Sequence, residues 1–192
     1  MKISNLISII ALAFSVVMLS CSDKQNDSAK KDVAKPATEH HGQASVQDGV
    51  SAANVLQVAM SLDDFKTLVV AVQAAGVEDA LVNAGPLTVF APVNSAFDKL
   101  PEGTVETLLK PENKAKLAYI LVNHVAPSNY PIKQLNKEAE KGRKLYMASG
   151  KYLVVENKED GVYVGGTKIL KSVKVSNGWI HVIGDILVPS ED

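Results

Sequence analysis

Hydrophobic residues recur at helical spacing in the first part of the chain that follows residue 54. Apolar stripes at 55–62 and 65–75 have the period of an α-helix, and Gly76 supplies a stop for the second. Shorter helices are predicted at 77–82, 94–100, 105–109, 111–121 and 132–140. We expect N-caps at Asp63, at Asn94 or Ser95, and at Thr104, with Pro111 in the first turn of its helix.

Beyond the last of these helices the pattern changes to the alternation and short apolar runs of β-strands. One strand comes earlier, the β-branched run at 87–91. The later strands are predicted at 143–148, 151–156, 162–164, 167–175, 179–183 and 186–188. Glycine-containing turns separate them, and Asn177-Gly178 is a strong hairpin signal. Helices followed by mostly antiparallel strands predict an α+β domain.

The first 20 residues have the pattern of a secretory signal peptide. Lys2 supplies a positive charge, and the uncharged, mostly apolar run at 3–19 is shorter than the ~20 residues of a membrane-spanning helix. The single cysteine of the chain, Cys21, follows directly. The segment Met18-Leu19-Ser20-Cys21 resembles the lipobox at which bacterial lipoproteins are lipidated and cut.

This resemblance implies that the Cys21 thiol accepts diacylglycerol and that the freed amino group is acylated as well. Each buried methylene contributes ~0.8 kcal/mol, so two or three acyl chains anchor a protein stably. Ser22, by resemblance to Gram-negative lipoproteins, permits transfer to the outer membrane. The alternatives are an ordinary signal peptide with a chance cysteine, or an uncleaved anchor.

Residues 21–51 form a polar segment that contains almost no large apolar side chain and no helical or strand period. Such a segment cannot bury enough surface to offset its ordering entropy, so we predict a flexible linker with a reach of roughly 30 Å. It contains Glu39-His40-His41, which is one candidate for divalent metal binding. We favour solvated linker residues, because neighbours in an unstructured chain have no preset geometry.

The balance of 20 basic and 21 acidic residues gives a net charge of −1, which provides no general attraction for nucleic acid. A lone cysteine excludes an internal disulfide and a cysteine metal cluster. The chain contains no Gly-x-Ser-x-Gly elbow, no phosphate-binding glycine loop and no His-Glu-x-x-His. We therefore predict a protein with no catalytic residues, metal or cofactor, although a catalytic site built from scattered residues stays open as an alternative.

Three segments together resemble the fasciclin, or FAS1, family. They are the first conserved box at 88–97 (TVFAPVNSAF), the central Tyr-His block at 121–127 (LVNHVAP) and the second box at 176–189 (SNGWIHVIGDILVP). Their order and spacing match one FAS1 domain, which we place at 52–190. The resemblance implies a wedge-shaped β-sandwich with a helical layer, a role in adhesion or recognition at cell surfaces and extracellular matrix, and no common catalytic site.

The chain departs from the family pattern at three positions. Asn123 replaces the usual Tyr of the Tyr-His pair, and Ser172 stands where animal adhesion members often carry Asp. Gly184 replaces a usual Asp, although Asp185 follows it. The first two positions belong to segments implicated in integrin contacts in animal members, so an integrin-like acidic contact is not carried over to this chain.

Four residues are candidates for an interaction or a structural motif: Asn94, His124, Trp179 and His181. The two histidines have two interpretations, a ligand or metal site and half-buried rings that satisfy backbone groups, and we favour the second. Asn94 and Asn177 are interpreted as a cap and a turn residue. Trp179, the only tryptophan, is favoured as a core residue, whereas an exposed indole would anchor a partner or a glycan.

The anchor, the linker and the family resemblance together predict a membrane-anchored lipoprotein of the bacterial cell envelope, at the outer membrane or cell surface. Its FAS1 domain is expected to mediate adhesion, with an unidentified surface protein or polysaccharide as partner. The alternative is binding of a small apolar ligand such as a pigment, as reported for some FAS1 members. An envelope enzyme is a third hypothesis, for which the sequence offers neither substrate nor nucleophile.

Overall fold

The computed structural model describes residues 53–82 and 85–189, so Cys21, the linker and Glu39-His40-His41 lie outside the described residues. The helices are α1 (Val55–Ser61), α2 (Lys66–Ala75), α3 (Glu78–Val82), α4 (Asn94–Phe97), α5 (Thr104–Leu108), α6 (Lys114–Val122) and α7 (Ile132–Glu140). Two 3-10 helices, Asp63–Phe65 and Pro111–Asn113, precede α2 and α6. The strands are β1 (Leu87–Pro92), β2 (Val125–Ala126), β3 (Lys144–Tyr146), β4 (Tyr152–Lys158), β5 (Gly161–Val164), β6 (Thr167–Val175) and β7 (Gly178–Ile183).

The helix boundaries follow local signals in some places and depart from them in others. Asn54 caps α1 through a capping box with Gln57, and Gly76 ends α2 in the left-handed region at φ 67°. The caps expected at Asp63 and Thr104 are wrong. Asp63 lies inside a 3-10 helix that is preceded by Leu62, and Gly103 precedes α5 without any side-chain cap.

The strands form one seven-stranded sheet in the order β2-β1-β7-β6-β5-β4-β3. Neighbouring strands are antiparallel except β1 and β7, the second and third strands in this order, which pair in parallel. The two outer strands, β2 and β3, lie close to each other. The amide of Ala148, just after β3, donates to the carbonyl of Val125 in β2 (2.7 Å). The sheet is therefore nearly closed.

The core has two layers, one on each face of the β1–β7 pair. Val89 and Ile180 face a layer built with α1, α2, α3 and α6, whereas Phe90 and Ile183 face a layer built with β3, β4, β5 and α7. Alternating side chains of one strand pair thus enter both layers. The result is an α+β sandwich with a helical layer, as the family resemblance implied.

The last predicted strand, at 186–188, is wrong. This segment has no strand pairing and runs on irregularly after β7. Its central residue, Leu187, is nevertheless buried in the second core layer. No helix among residues 53–82 and 85–189 has the length and apolar character needed to cross a bilayer.

Candidate interaction surface

Trp179 lies half-buried on β7 and lines an open groove of about 410 Å³. The groove collects residues from three segments: Pro86, Asn129, Pro131 and the hairpin residues 174–179. Pro86, Asn129 and Lys174 are exposed to solvent. Trp179 belongs to neither of the two core layers, and its role as an anchor for a partner stays a prediction.

The β6–β7 hairpin forms one wall of the groove. Lys174 and Trp179 are direct cross-strand partners in it. The hairpin predicted here is present, but its two-residue turn is Ser176-Asn177, because Gly178 already pairs with Val175 as the first residue of β7. The Asn177 side chain holds the turn against the helices, because its oxygen accepts from the Val55 amide (3.1 Å) and its nitrogen donates to the Leu81 carbonyl (2.8 Å). The hairpin tip is therefore fixed in place.

Gly178 is required at this turn for a steric reason. Its φ is +150°, and a Cβ atom built there would lie 1.7 Å from the carbonyl oxygen of Leu87. The parallel strand β1 thus approaches the hairpin more closely than any side chain allows.

The opposite wall is a loop that two buried side chains of the sheet hold in place. Thr88 donates through its hydroxyl to the Ser128 carbonyl (2.8 Å) and accepts from the Tyr130 amide (2.9 Å). The Nε2 atom of His181 bonds to the Tyr130 carbonyl (2.7 Å). These bonds position the flanking residues Asn129 and Pro131 across from the indole.

His181 is fully buried and uses both ring nitrogens. Its Nε2 must donate to the Tyr130 carbonyl, so in the neutral ring Nδ1 accepts from the Ser172 hydroxyl (2.7 Å). Burial lowers the pKa of His181, while the bond to the Tyr130 carbonyl opposes that shift. The ring stacks on Phe90 and Trp179, with centroid separations of 5.4 and 6.4 Å. His181 therefore positions the groove rather than contacting a ligand.

His124 lies apart from the groove and also uses both nitrogens. Nδ1 bonds to the Ile120 carbonyl (2.9 Å), and Nε2 accepts from the Leu187 amide (2.9 Å). Burial lowers the pKa of His124 to about 4, against a smaller raising effect of the Ile120 bond. His124 and His181 share no hydrogen-bond partner, and no cluster of His, Cys, Asp or Glu in the described part of the chain is suited to hold a metal ion.

Asn123 also bonds to Leu187, in the segment after β7. Its amide nitrogen donates to the Leu187 carbonyl (3.0 Å), and its oxygen accepts from the Ser149 hydroxyl (2.7 Å). Together Asn123 and His124 satisfy both backbone groups of Leu187, which a strand partner would otherwise do. Asn123 is fully buried, so in this chain the Tyr-His position serves the fold.

Asn94 does not cap its own helix, contrary to the sequence-based expectation. Asn94 is the first residue of α4, and Val93 precedes it without a side-chain cap. Its oxygen instead accepts from the Thr67 amide (3.0 Å) in the first turn of α2, and its nitrogen donates to the Asp63 carbonyl (2.8 Å). The residue expected to cap α4 therefore connects α4 to the start of α2, because Asn94 bonds to Thr67, 27 residues earlier in the chain.

Sequence reasoning missed the residues that build the groove walls around Trp179. Pro86, Asn129 and Lys174 carried no local signal, because each lies in a different segment and acquires its role from strand pairing. Asp185, next to the departure at Gly184, joins the segment after β7 to the turn after α4 through Lys99 (2.6 Å) and to β6 through Thr167 (2.9 Å). These bonds lower the pKa of the Asp185 carboxyl.

Comparisons with known proteins agree with this geometry. The fasciclin domain model matches residues 63–189. Protein sll1483 of Synechocystis sp. is 44% identical over 140 residues, which cover 72% of this chain and 75% of that protein. Transforming growth factor-beta-induced protein ig-h3 of Sus scrofa is 33% identical over 139 residues, covering 71% of this chain and 19% of the larger protein.

Among solved structures, a FAS1 domain pair from the insect cell adhesion molecule fasciclin I matches with a TM-score of 0.65. It is 22% identical, and the match covers 73% of this chain and 52% of the other, which shows a common fold. The family model and the identities above show more than a common fold. This chain belongs to the fasciclin domain family.

Proposed function

We propose that this protein is an adhesion module of the bacterial cell envelope, anchored through lipidated Cys21, that binds its partner in the Trp179 groove. The observation that carries the proposal is a half-buried indole in an open groove beside exposed polar groups. Tryptophan is enriched among the residues that dominate binding energy at interfaces. Description of a relative as a cell adhesion molecule agrees with this role.

The groove favours a polysaccharide chain as the partner. The indole and the rings of Pro86 and Pro131 offer flat apolar faces on which sugar rings stack, while Asn129 and Lys174 donate hydrogen bonds to hydroxyl or carboxylate groups. Lys174 makes no salt bridge within residues 53–82 and 85–189, so its charge is available to an acidic sugar. A protein partner would use the same indole and is one outcome of the test.

The test compares Trp179→Ala with Tyr152→Ala in retention of the purified protein on immobilised envelope polysaccharide and on envelope protein of the native host. Tyr152, on β4, is 62% exposed and lies outside the groove, so it controls for loss of an aromatic side chain. We expect Trp179→Ala to weaken retention on polysaccharide by about 30-fold, the scale of a 2 kcal/mol anchor residue. Tyr152→Ala is expected to bind normally.

Equal loss in both variants, or normal binding by a folded Trp179→Ala variant, would contradict the groove as the contact surface. Loss confined to envelope protein would retain the groove and replace the polysaccharide by a protein partner. Thermal unfolding of each variant separates a binding effect from a folding effect.

A further inference from the structure

An apolar cavity of about 210 Å³ lies beside α5 and α6 and is separate from the Trp179 groove. Its lining includes Phe97, Leu108, Leu117, Ile120 and Val188. Protein interiors normally contain few voids larger than a water molecule. An apolar cavity of ~150 Å³ is already large enough to bind benzene. This cavity is therefore large enough to hold a ligand.

Helix α5 covers the cavity only in part, so the cavity is accessible from solvent on this side. None of its residues is fully buried, although Val105 and Leu108 both line the cavity. Val188, on the segment after β7, also lines it and remains 63% exposed. His124 lines the cavity too, but both of its nitrogens are bonded within the fold, so its contribution to the lining is apolar.

A polar pocket of about 260 Å³ adjoins this cavity. The two share Thr104, Leu108 and Lys116 in their linings, so they lie side by side. Lys116 is exposed and makes no salt bridge in the described part of the chain. Glu102 also lines the polar pocket, which disfavours a headgroup with more than one negative charge.

We propose that the cavity and the adjoining pocket together bind a medium-chain fatty acid, with its hydrocarbon tail in the cavity and its carboxylate beside Lys116. The volume of about 210 Å³ exceeds the ~150 Å³ that accommodates benzene, so the cavity accepts a hydrocarbon tail of limited length, for which octanoate is the probe. The site shares no lining residue with the Trp179 groove and does not depend on the adhesive role.

The test is calorimetric titration at pH 7.5 of the full chain carrying Cys21→Ser, a change that removes the thiol needed for acylation. Octanoate, octan-1-ol, butanoate and hexadecanoate are the probes. We expect octanoate to bind more tightly than butanoate and hexadecanoate, because the tail must fill a cavity of limited size. Lys116→Gln should weaken octanoate binding by about fivefold, the scale of an exposed ion pair, and leave octan-1-ol binding unchanged.

Two variants fill the cavity from adjacent turns of α5, Leu108→Trp and Val105→Phe. Each should weaken octanoate binding at least about tenfold, and the second keeps the test informative if the first fails to fold. Lys110→Gln, a matched change at an exposed lysine outside both linings, should bind octanoate like the parent chain. Affinity that rises steadily through hexadecanoate, or full octanoate binding in a folded cavity-filled variant, would overturn the proposal.

Discussion

His124 and His181 each bond through both ring nitrogens to neighbouring groups, and burial lowers the pKa of both rings. For His124 the bonds define the tautomer, because a carbonyl can only accept and a backbone amide can only donate. A neutral ring with Nδ1–H satisfies both partners, whereas a second proton on Nε2 would face the Leu187 amide. Protonation and folding are therefore coupled at this residue.

The pH dependence of stability follows from this coupling. The unfolded chain binds a proton at His124 near pH 6.5, whereas the folded chain does so only near pH 4, so the stabilisation is complete above 6.5 and is lost as the pH falls toward 4. The loss is of the order of 3 kcal/mol. Urea unfolding of the parent chain between pH 8 and 4 measures it, and His124→Gln should show a slope smaller by one proton. An identical slope in that variant would contradict the assignment.

Gly178 provides a second prediction at the residue scale. Gly178→Ala places a Cβ against the Leu87 carbonyl, and neither backbone can move without breaking the β1–β7 pairing. We expect the free energy of unfolding to fall by at least about 3 kcal/mol. Gly166→Ala is the matched control, since Gly166 also has positive φ but no atom within 4 Å of the added Cβ. It should cost only about 1–2 kcal/mol, and an equal cost at both positions would refute the steric argument.

Helices and loops in this fold are held by asparagine side chains from distant elements. Asn94 bonds to the first turn of α2, Asn177 joins the hairpin to α1 and α3, and Asn123 holds the segment after β7. An amide side chain both donates and accepts, so one residue satisfies two backbone groups at once. Each of these residues therefore connects secondary-structure elements that are far apart in the chain.

Asn94 tests this connection. Asn94→Ala leaves the Thr67 amide and the Asp63 carbonyl without this partner, and we expect a loss of about 1 kcal/mol, the usual cost of removing a helix cap. The exposed neighbour Ser95, the other cap candidate in the sequence, supplies the control. Equilibrium urea unfolding should place Ser95→Ala within about 0.5 kcal/mol of the parent. A comparable loss at Ser95 would point to capping of α4 itself.

At the scale of the whole molecule, the described residues form one domain with two core layers and two separate surface sites. The Trp179 groove lies at the turn end of the β6–β7 hairpin, and the apolar cavity lies beside α5 and α6. A domain with both sites near a membrane surface would meet envelope polymers and free amphiphiles. Its placement there depends on the predicted anchor at Cys21.

The anchor is tested by expressing the full chain and Cys21→Ser in a bacterial host. We expect the mature parent protein to begin at Cys21, and its mass to include three acyl chains. The reason is that diacylglycerol is attached to the thiol and a third acyl chain to the freed amino group in such lipoproteins. Intact-mass analysis, with protease accessibility of whole cells, measures both modification and side of the membrane. An unmodified soluble parent protein would remove the anchor and leave a diffusible or periplasmic binding role.

The α+β class, most helices and strands, the β6–β7 hairpin and the family could be predicted from the sequence alone, because these depend on period, turn chemistry and contiguous motifs. The folded structure was needed to show that 186–188 is held by Asn123 and His124 instead of pairing as a strand. It was also needed to show that Asn94 bonds to α2 and that Trp179 borders a groove with Asn129 and Lys174. The reason is physical: these contacts join residues far apart in sequence, so their partners exist only after the strands have paired and the core has closed.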